Sequence, residues 1–259
     1  MKTKIIHYCW FGNNDKSELI KKCIESWHKF APNFEIREWN EDNFDIHCCK
    51  YVEEAYSRKK WAFVSDYCRF YILNSYGGVY LDTDVELIKS INDLPDNFVA
   101  FENPSYVNSG LIRAARTGDT ICKLMLESYH NDRFILKNGD LNLVTVCVRE
   151  TAILKKLGLK CNNTLQVVAD TTVYPTDYFC PLDYLTNKIK ITENTHSIHH
   201  YAATWYSQKE DFAKAYRLKL AKVLPTRIAD LVSAFWAIMK YDGFFKALEK
   251  LRKKFSNKT

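Results

Sequence analysis

The chain has 259 residues, of which 47% are apolar and 26% are charged. These proportions are ordinary for a globular protein of one large domain, or of one domain with an appendage, and they exclude a disordered, collagen-like or coiled-coil chain. The net charge of +6 does not indicate nucleic-acid binding, because residues 208–259 contain 13 Lys and Arg against 5 Asp and Glu and the remaining chain is slightly acidic.

The first part of the chain alternates between strand patterns and helix patterns. Short or alternating apolar runs predict strands, and apolar residues at spacings of three and four predict helices. In chain order these elements are a strand at 4–11, a helix at 15–30, a strand at 34–39, a helix at 61–76 and a strand at 79–81. Asp15 and Glu18 form a capping-box pattern at the start of the first helix. Gly77-Gly78 is a C-terminal signal for the second helix.

The same alternation continues towards residue 191. It predicts strands at 98–101 and 110–112, helices at 118–129 and 140–157, and strands at 165–169 and 189–191. Alternation of this kind is typical of an α/β layered domain. We assign residues 1–207 to this domain and residues 208–259 to a basic helical tail.

The tail has the pattern of amphipathic helices. Phe212 to Leu224 is helical in pattern and stops at Pro225. The next apolar residues recur at spacings of three and four; they are Ile228, Leu231, Val232, Phe235, Trp236 and Met239. A second apolar stripe with surrounding lysines follows Gly243. We interpret residues 212–255 as a surface that binds an anionic membrane, with packing on the domain or on a partner subunit as the alternative.

The sequence also bears on the compartment. No run of eighteen apolar residues occurs, so a membrane-spanning helix is not expected. The first residues lack the apolar region and cleavage site of a secretory signal. Nine cysteines without a Cys-x-x-Cys pair favour a reducing compartment, in which buried thiols serve as small apolar fillers. A cytoplasmic protein is therefore expected.

The most specific feature is the segment Gly77-Gly78-Val79-Tyr80-Leu81-Asp82-Thr83-Asp84. It predicts a buried strand followed by carboxylates at positions i and i+2. In an extended backbone these side chains point to one side, where they repel each other unless a cation lies between them. Carboxylate oxygens at a strand end suit Mg²⁺ or Mn²⁺ held together with a diphosphate. A solvated acidic turn is the alternative.

On the preceding helix, Asp66 and Arg69 are three residues apart and share one face. The helix is otherwise apolar and aromatic, so this pair is expected to face a cleft or a buried network. In a cleft, the carboxylate can bind sugar hydroxyls and the planar guanidinium can bind a phosphate. A plain ion pair within the helix is the alternative.

Two further segments place aromatic or imidazole side chains near predicted strand ends. Trp10 follows the first strand and precedes Gly12, a place where a nucleobase could stack, although a core position also explains it. Near the end of the domain, His196, His199 and His200 lie within five residues. Imidazole is a common ligand of divalent cations, and a surface histidine cluster is the alternative.

Together these segments resemble glycosyltransferase family 32, which includes bacterial capsular and exopolysaccharide transferases and a fungal mannosyltransferase. They resemble, more distantly, the glucosylating domain of large bacterial toxins. The matching segments are Lys4-Ile5-Ile6-His7-Tyr8-Cys9-Trp10-Phe11-Gly12, Ser65-Asp66-Tyr67-Cys68-Arg69, Gly77 to Asp84, and His199-His200-Tyr201-Ala202-Ala203-Thr204-Trp205. The resemblance implies a GT-A fold, that is, a single Rossmann-like α/β domain with a mixed central sheet. It also implies a nucleotide-sugar donor and a Mn²⁺ or Mg²⁺ cofactor.

The resemblance implies roles for individual residues. Those implied at the nucleotide are Cys9, Trp10, Asp82 and Trp205, with Trp10 stacking on the base and Trp205 covering the diphosphate. Those implied at the donor sugar are Asp66, Arg69, Asn108 and Gly110, of which Asp66 and Arg69 are the catalytic candidates. Those implied at the metal are Asp82, Asp84 and His200, with His199 as the fallback. Many relatives carry Gly and Ser where this chain has Ala203 and Thr204, which leaves a hydroxyl ligand there open.

The resulting hypothesis is a retaining, metal-dependent glycosyltransferase. It would move a hexose, galactose or glucose, from UDP rather than GDP to a lipid-linked glycan for a capsular or other surface polysaccharide. A metal that bridges both phosphates would stabilise the leaving diphosphate. No residue stands out as a covalent nucleophile, and the resemblance implies a front-face displacement. The enzyme would lie on the inner face of the cell membrane, with no nucleic-acid partner.

Other functions fit parts of the sequence. An effector-type transferase that glycosylates a protein would share the fold and the site. An aspartyl phosphatase also uses a strand followed by Asp-x-Asp, but it has the motif on its first strand and requires Thr or Val where this chain has Glu86. A non-enzymatic membrane-bound scaffold would leave the carboxylates merely structural.

Overall fold

The structure is a computed structural model that describes residues 3–184, 186–202 and 208–249. The chain divides into two compact units. The first comprises Met1–Pro181 and Lys190–His200, and the second comprises Leu182–Ile189 and Tyr201–Thr259. The second unit therefore includes a short segment from within the region that we assigned to the α/β domain. The boundary placed after residue 207 stays a prediction.

Strands and helices are interleaved along the described part of the chain, although five strands follow one another in its middle. The strands are β1 (Ile5–Cys9), β2 (Glu35–Trp39), β3 (Gly78–Tyr80), β4 (Val85–Leu87), β5 (Phe98–Asn103), β6 (Tyr106–Val107), β7 (Arg113–Ala115), β8 (Gln166–Val168), β9 (Thr171–Tyr174), β10 (Leu182–Asp183), β11 (Lys188–Ile189) and β12 (Ser197–His199). The helices are α1 (Glu18–Phe30), α2 (Lys50–Ser57), α3 (Trp61–Tyr76), α4 (Thr120–His130), α5 (Val146–Lys156), α6 (Thr176–Phe179), α7 (Gln208–Leu220) and α8 (Thr226–Asp242). Elements β10, β11, α7 and α8 belong to the second unit.

The first unit is built on a mixed central sheet of eight strands. The strand order is β2-β1-β3-β7-β5-β9-β8, and β6 pairs with β5 beside this path. Strand β1 is parallel to β2 and β3, β5 is parallel to β9, and β7 is antiparallel to both of its neighbours. The predicted α/β class with a mixed central sheet is confirmed.

The strand order creates a crevice at the carboxyl end of β1. Strand β2 lies on one side of β1 and β3 lies on the other, so the chain leaves β1 in one direction and returns on the opposite side. In open α/β sheets, ligands bind at such a switch point, outside the carboxyl ends of the strands. Trp10 directly follows β1 and Asp82 closely follows β3, so both lie at this crevice.

Helix α3 has the predicted bounds, and two glycines start β3 directly after it. Gly77 has φ 65° and donates its N–H to Leu73 O at 2.9 Å, which caps the helix. Gly78 has φ 102°, and a Cβ on it would lie 2.7 Å from Ile5 O of the neighbouring strand. Any side chain at these positions would be strained. The glycine pair therefore fixes how β3 enters the centre of the sheet.

The hydrophobic core of the first unit joins side chains of α2, α3, α4 and α5 to the central strands. It includes Tyr51 and Phe70, which are fully buried. Helix α1 packs at β4, where Trp27 Nε1 donates to Val85 O at 2.7 Å. Helix α1 therefore holds the strand that follows the Asp-x-Asp motif.

The first helix begins later than its sequence signal indicated. The capping box at Asp15 and Glu18 is wrong, because α1 begins at Glu18 and Ser17 is its N-cap. The Ser17 hydroxyl oxygen accepts from Ile20 N at 3.4 Å. Ser and Asp are similarly good N-caps, so the residue type alone does not distinguish a helix start at Asp15 from one at Ser17.

Two segments that were predicted to be regular are loops. Residues 140–145 lie outside α5, because Ile135 and Leu141 form an antiparallel bridge that turns the chain before the helix. Residues 110–112 precede β7, because the Asn108 side chain accepts from Gly110 N at 2.7 Å and closes a turn. This turn belongs to the candidate site.

None of the nine cysteines, which all lie within the described residues, forms a disulfide bond. The buried ones are Cys9, Cys23, Cys68, Cys122 and Cys180, which confirms the prediction of filler thiols for these positions. Cys48 and Cys161 are exposed, and Cys49 and Cys147 are half-buried. At these four positions the prediction of a buried filler thiol was wrong.

The second unit pairs β10 with β11 and packs α7 against α8. The ring centroids of Phe212 and Tyr241 lie 6.0 Å apart across the two helices. The buried residues of α8 are Ala229, Ser233, Ala237 and Ile238, whereas Ile228 and Trp236 of the predicted apolar stripe are 46% and 43% exposed. Residues 244–249 are also helical, and the rest of the second stripe lies outside the described residues. Within the described ranges, every helix is too short or too polar to cross a membrane.

His7 on β1 is fully buried and ties β1 to its surroundings. Its Nε2–H donates to Gly77 O at 2.9 Å, and its Nδ1 accepts from Trp39 Nε1 at 3.1 Å. The neutral ring with its proton on Nε2 therefore satisfies both contacts. Burial, the largest cause, lowers the pKa of His7 from 6.5 to about 4. Between these pH values the unfolded chain binds a proton that the folded chain does not.

We expect the His7 contribution to stability to be complete above pH 6.5 and to be lost as the pH falls towards 4. The difference between 6.5 and about 4 corresponds to about 3 kcal/mol of unfolding free energy. Denaturant unfolding of the wild type and of His7→Gln at several pH values checks this, because Gln can hydrogen-bond but does not titrate. An equal pH dependence in both proteins would contradict the prediction.

Candidate active site

Asp82 lies in the crevice at the carboxyl end of β3. Its backbone N–H donates to Gly110 O at 2.9 Å, and its Oδ1 accepts from the Tyr80 hydroxyl at 3.1 Å. Its side chain remains 31% exposed. The carboxylate is therefore held in place and is still accessible to a ligand.

Asp82 and Asp84 are joined by a turn rather than by extended backbone. Val85 N donates to Asp82 O at 3.1 Å and closes this turn between β3 and β4. The prediction that both carboxylates follow from an extended backbone was therefore wrong, because the backbone turns between them. Strand β4 pairs with β12, and Asp84 O accepts from His200 N at 3.0 Å. The late histidine segment thus lies beside the Asp-x-Asp motif.

The two candidate histidine ligands have different partners. His199 is buried, and its Nε2 lies 3.1 Å from Asp84 Oδ1. His200 is more exposed, and its Nε2 lies 2.8 Å from Glu86 Oε2. Burial lowers the pKa of His199, but Asp84 outweighs this effect and raises it. The structure thus places the imidazole of His199, rather than that of His200, against the Asp84 carboxylate.

Arg69 lies between two carboxylates. Its Nη2 is 2.9 Å from Asp66 Oδ1 and 3.2 Å from Asp82 Oδ1, and its Cζ is 4.7 Å from the centroid of the Tyr80 ring. The side chain is buried, and its Nη1 has no hydrogen-bond partner among the described residues. Buried donors in proteins normally have a partner. Nη1 therefore retains an unused capacity to donate a hydrogen bond.

Asp66 lies close to α5 as well as to Arg69. The backbone N–H of Val146, in the first turn of α5, acts electrostatically on its carboxylate. Burial raises the pKa of Asp66 to about 6, Arg69 opposes the rise, and Asp82 adds to it. A further cation or hydrogen-bond donor in the crevice would favour the charged carboxylate.

The loop from Asn108 to Gly110 closes the site on the side of β5 and β7. A Cβ on Gly110 would lie 2.1 Å from Asp82 Oδ2 and 3.0 Å from Arg69 Nη1. Only glycine allows the charged pair to approach the loop backbone so closely. The structure therefore brings Asn108 and Gly110 together with Asp66, Arg69 and Asp82.

Cys9 and Trp10 lie at the end of β1. Cys9 is buried close to Arg69. Trp10 is half-buried; its Nε1 donates to Asn14 O at 2.7 Å, and Lys16 Nζ lies 5.3 Å from its ring centroid. One face of the indole therefore already has a cation–π contact. A base that stacks on Trp10 would use the other face or displace Lys16.

Some residues that build the site were not predicted. Tyr80 contacts both Arg69 and Asp82. Glu102 on β5 acts electrostatically on His199 and Cys147, so it belongs to the same acidic group. A carboxylate at the end of a predicted strand could have identified Glu102. Trp205, which was assigned to the nucleotide, lies outside the described residues.

The donor chemistry at the motif fits a divalent cation. Asp82 and Asp84 offer carboxylate oxygens and His199 offers an imidazole, all of which Mg²⁺ or Mn²⁺ accepts. Among the residues that the structure describes, no group of three or more His, Cys, Asp or Glu side chains is arranged to ligate a metal. Ions of this class are commonly held by one or two carboxylates together with substrate phosphates and water, so the motif is sufficient for such a site.

One family model matches part of the chain. Residues 17–100 match a family model described as a glycosyltransferase sugar-binding region containing a DXD motif. No match was found among curated proteins.

The chain is also similar to solved structures of transferases. The first is the PaToxG glycosyltransferase, with 17% identity, a TM-score of 0.45, and coverage of 60% of this chain and 69% of that chain. The second is a glycosyltransferase involved in the glycosylation of the major capsid of PBCV-1, with 12% identity, a TM-score of 0.45, and coverage of 85% and 99%. The third is an active-site mutant of LgtC, with 14% identity, a TM-score of 0.36, and coverage of 87% and 99%.

The family match includes α3, the glycine pair and the Asp-x-Asp turn, and it ends before the Asn108–Gly110 loop. It supports neither family 32 in particular nor a role in capsule synthesis. Residues 17–100 are therefore similar to the glycosyltransferase sugar-binding region, and Asp82 and Asp84 are an Asp-x-Asp pair within the matched residues.

Proposed function

We propose that this protein is a retaining, metal-dependent glycosyltransferase of the GT-A type that transfers a hexose from a nucleotide sugar. The observation that carries this proposal is the meeting of Asp66, Arg69, Asp82 and Gly110 at the switch-point crevice. Carboxylates suit sugar hydroxyls and a cation, and a guanidinium suits a phosphate. The family match of residues 17–100 supports the same class of reaction.

The nucleotide would occupy the crevice at the end of β1. Trp10 would provide an aromatic face for the base, with Cys9 at the buried end of the strand. Asp82, on the neighbouring strand, would lie near the ribose and the cation, and Trp205 would cover the diphosphate. On the resemblance to family 32 we favour a UDP-hexose, with galactose or glucose as the sugar.

The donor sugar would be held by Asp66 and Arg69, next to the Asn108–Gly110 loop. Arg69 Nη1 is a buried donor without a partner among the described residues, so it can donate to an oxygen that gains negative charge as the sugar–phosphate bond breaks. Asp66 would accept hydrogen bonds from sugar hydroxyls. Its ion pair with Arg69 already orients the carboxylate.

The reaction would proceed without a covalent sugar–enzyme intermediate. A divalent cation held by Asp82 and Asp84, with His199 or His200, would stabilise the charge of the leaving diphosphate. Asp66 is tied to Arg69, which suits a hydrogen-bond acceptor better than a nucleophile. The acceptor hydroxyl would attack the anomeric carbon from the side of the leaving group, and the leaving phosphate would take its proton.

A thermal-shift screen tests the donor site. We expect UDP-galactose or UDP-glucose to raise the melting temperature in the presence of Mn²⁺ and to have little effect without it, because a ligand that binds only the folded form stabilises it by mass action. GDP-mannose is the comparison. No metal-dependent shift with any of these nucleotide sugars would contradict the proposal and would favour a scaffold.

We further propose a lipid-linked glycan of surface polysaccharide synthesis as the acceptor, reached from the cytoplasmic face of the membrane. Aromatic side chains of the second unit support a membrane-binding surface, because Trp236, Phe244 and Phe245 are 43%, 53% and 86% exposed in a basic segment.

The protein is expected to sediment with anionic phospholipid vesicles and to be released by salt. Failure to bind these vesicles would remove the membrane from the proposal, and transfer of labelled sugar to a protein would select the effector-type alternative.

A further inference from the structure

Helix α5 contacts the site loop at two points. Thr151 Oγ1 accepts from Val107 N at 3.0 Å, and the neighbouring Glu150 carboxylate lies beside the Ser109 hydroxyl. Glu150 is fully buried and Thr151 is 3% exposed. The helix therefore holds the loop directly before Asn108 and again within it.

Glu150 is in turn fixed by the strand that follows the loop. Arg113 on β7 is fully buried; its Nη1 lies 3.7 Å from Glu150 Oε1, and its Nη2 lies 3.0 Å from Asp119 Oδ1. Asp119 also accepts from Cys122 N at 2.9 Å and so caps α4. Glu150 and Ser109 complete no hydrogen bond of ordinary geometry. Glu150 therefore holds Ser109 through electrostatic and steric contact, whereas the hydrogen bond from Val107 N to Thr151 Oγ1 is directional.

The loop sets the position of the charged groups of the site. Asp82 N donates to Gly110 O at 2.9 Å, and a Cβ on Gly110 would lie 3.0 Å from Arg69 Nη1. A displacement of the loop would therefore change the contacts of both Asp82 and Arg69. A misplacement of about 1 Å can reduce an enzyme's rate by about 10²-fold.

We propose that Thr151 and Glu150 are positioning residues, which hold the loop from Val107 to Gly110 so that Asp82 is correctly placed for sugar transfer. The burial of both side chains separates them from the accessible part of the crevice, so they act through the loop. The first turn of the same helix also lies close to Asp66, because Val146 N acts electrostatically on that carboxylate. For its kinetic readout this inference rests on the proposed function.

The central test compares Thr151→Val, which removes the acceptor at nearly constant shape, with Thr151→Ser, which keeps the hydroxyl. We expect Thr151→Val to lower kcat about tenfold or more, with a smaller change in the donor KM, and Thr151→Ser to recover most of the loss. Hydrogen exchange of the Asp82 amide should become faster in Thr151→Val. Ser109→Ala and Glu150→Gln should change kcat in the same direction, which keeps the test decisive if Thr151→Val does not fold.

A matched control is Glu54→Gln. Glu54 holds a different loop, because its Oε2 accepts from Phe134 N at 2.9 Å and from Ile135 N at 3.0 Å. This variant should lower the melting temperature without lowering kcat. It makes the same Glu-to-Gln substitution as Glu150→Gln, so a loss of kcat only in Glu150→Gln supports the proposal.

Two results would overturn the positioning role. One is a wild-type kcat in Thr151→Val and Ser109→Ala. The other is unchanged hydrogen exchange of the Asp82 amide in these variants, a readout that needs no substrate. If the wild type transfers sugar from none of the nucleotide sugars tested, the proposed function fails, whereas the exchange measurement still decides whether α5 positions the loop.

Discussion

Replacing Asp84 with Asn is expected to reduce sugar transfer and donor hydrolysis by about 10²–10³-fold. Asn keeps the shape of the side chain but removes the negative charge that a hard divalent cation requires of its ligands. Asp82→Asn should reduce turnover to a similar extent. It should also destabilise the fold, because Arg69 now pairs with both Asp66 and Asp82 and would keep only Asp66 as a charged partner.

The measurement is nucleotide release at saturating donor over a Mn²⁺ titration. The Asp84→Asn protein should require more Mn²⁺ and still reach a lower maximal rate. Asp93→Asn is the matched control, since Asp93 is exposed in the same unit and should leave the rate unchanged. A wild-type rate for Asp84→Asn across the titration would mean that the chemistry does not use this motif.

The parts of the site that depend on local signals could be predicted from the sequence. Helix α3 has the predicted bounds, because its apolar pattern ends at a glycine pair that can adopt positive φ. The same segment carries Asp66 and Arg69 on one helical face, and the structure confirms that they form a buried pair. Trp10 and Asp82 follow short apolar strands, and the parallel pairing of these strands places both residues at one edge of the sheet.

The histidine contacts could not be predicted, because they depend on pairing between distant segments. His200 and Glu86 are 114 positions apart and meet only because β12 pairs with β4. The resemblance favoured His200 as the metal ligand, with His199 as the fallback. The antiparallel register places His199 opposite Val85, the residue after Asp84.

The contacts between α5 and the site loop could not be predicted from apolar periodicity either. The pattern from 140 to 157 predicted one long helix, whereas the observed helix begins at Val146. That start determines which residues face the site loop, as Thr151 does at Val107 N. Buried polar residues such as Glu150 and Thr151 weaken an apolar pattern, so their function becomes visible only when the loop is packed against them.

Replacing Arg69 with Met is expected to cost about 3–5 kcal/mol of unfolding free energy and to abolish sugar transfer. Without the guanidinium, Asp66 and Asp82 would face each other uncompensated, and burial already raises the pKa of Asp66 to about 6. Arg69→Lys should remain impaired, because one ammonium group cannot contact both carboxylates and retain the planar contact with Tyr80. Denaturant unfolding and donor hydrolysis measure the two effects.

Two companion variants separate the structural and the functional role of Arg69. Arg116→Met is the control for removing an arginine, because its side chain is 59% exposed in a surface pair with Asp170, and such pairs contribute little to stability. Adding Asp66→Asn to Arg69→Met should restore part of the lost stability, since one uncompensated carboxylate is removed. It should not restore transfer, because the donor group that would bind the phosphate or sugar is still absent. Recovery of transfer together with stability would show that Arg69 only balances buried charge, and would contradict its place in the donor site.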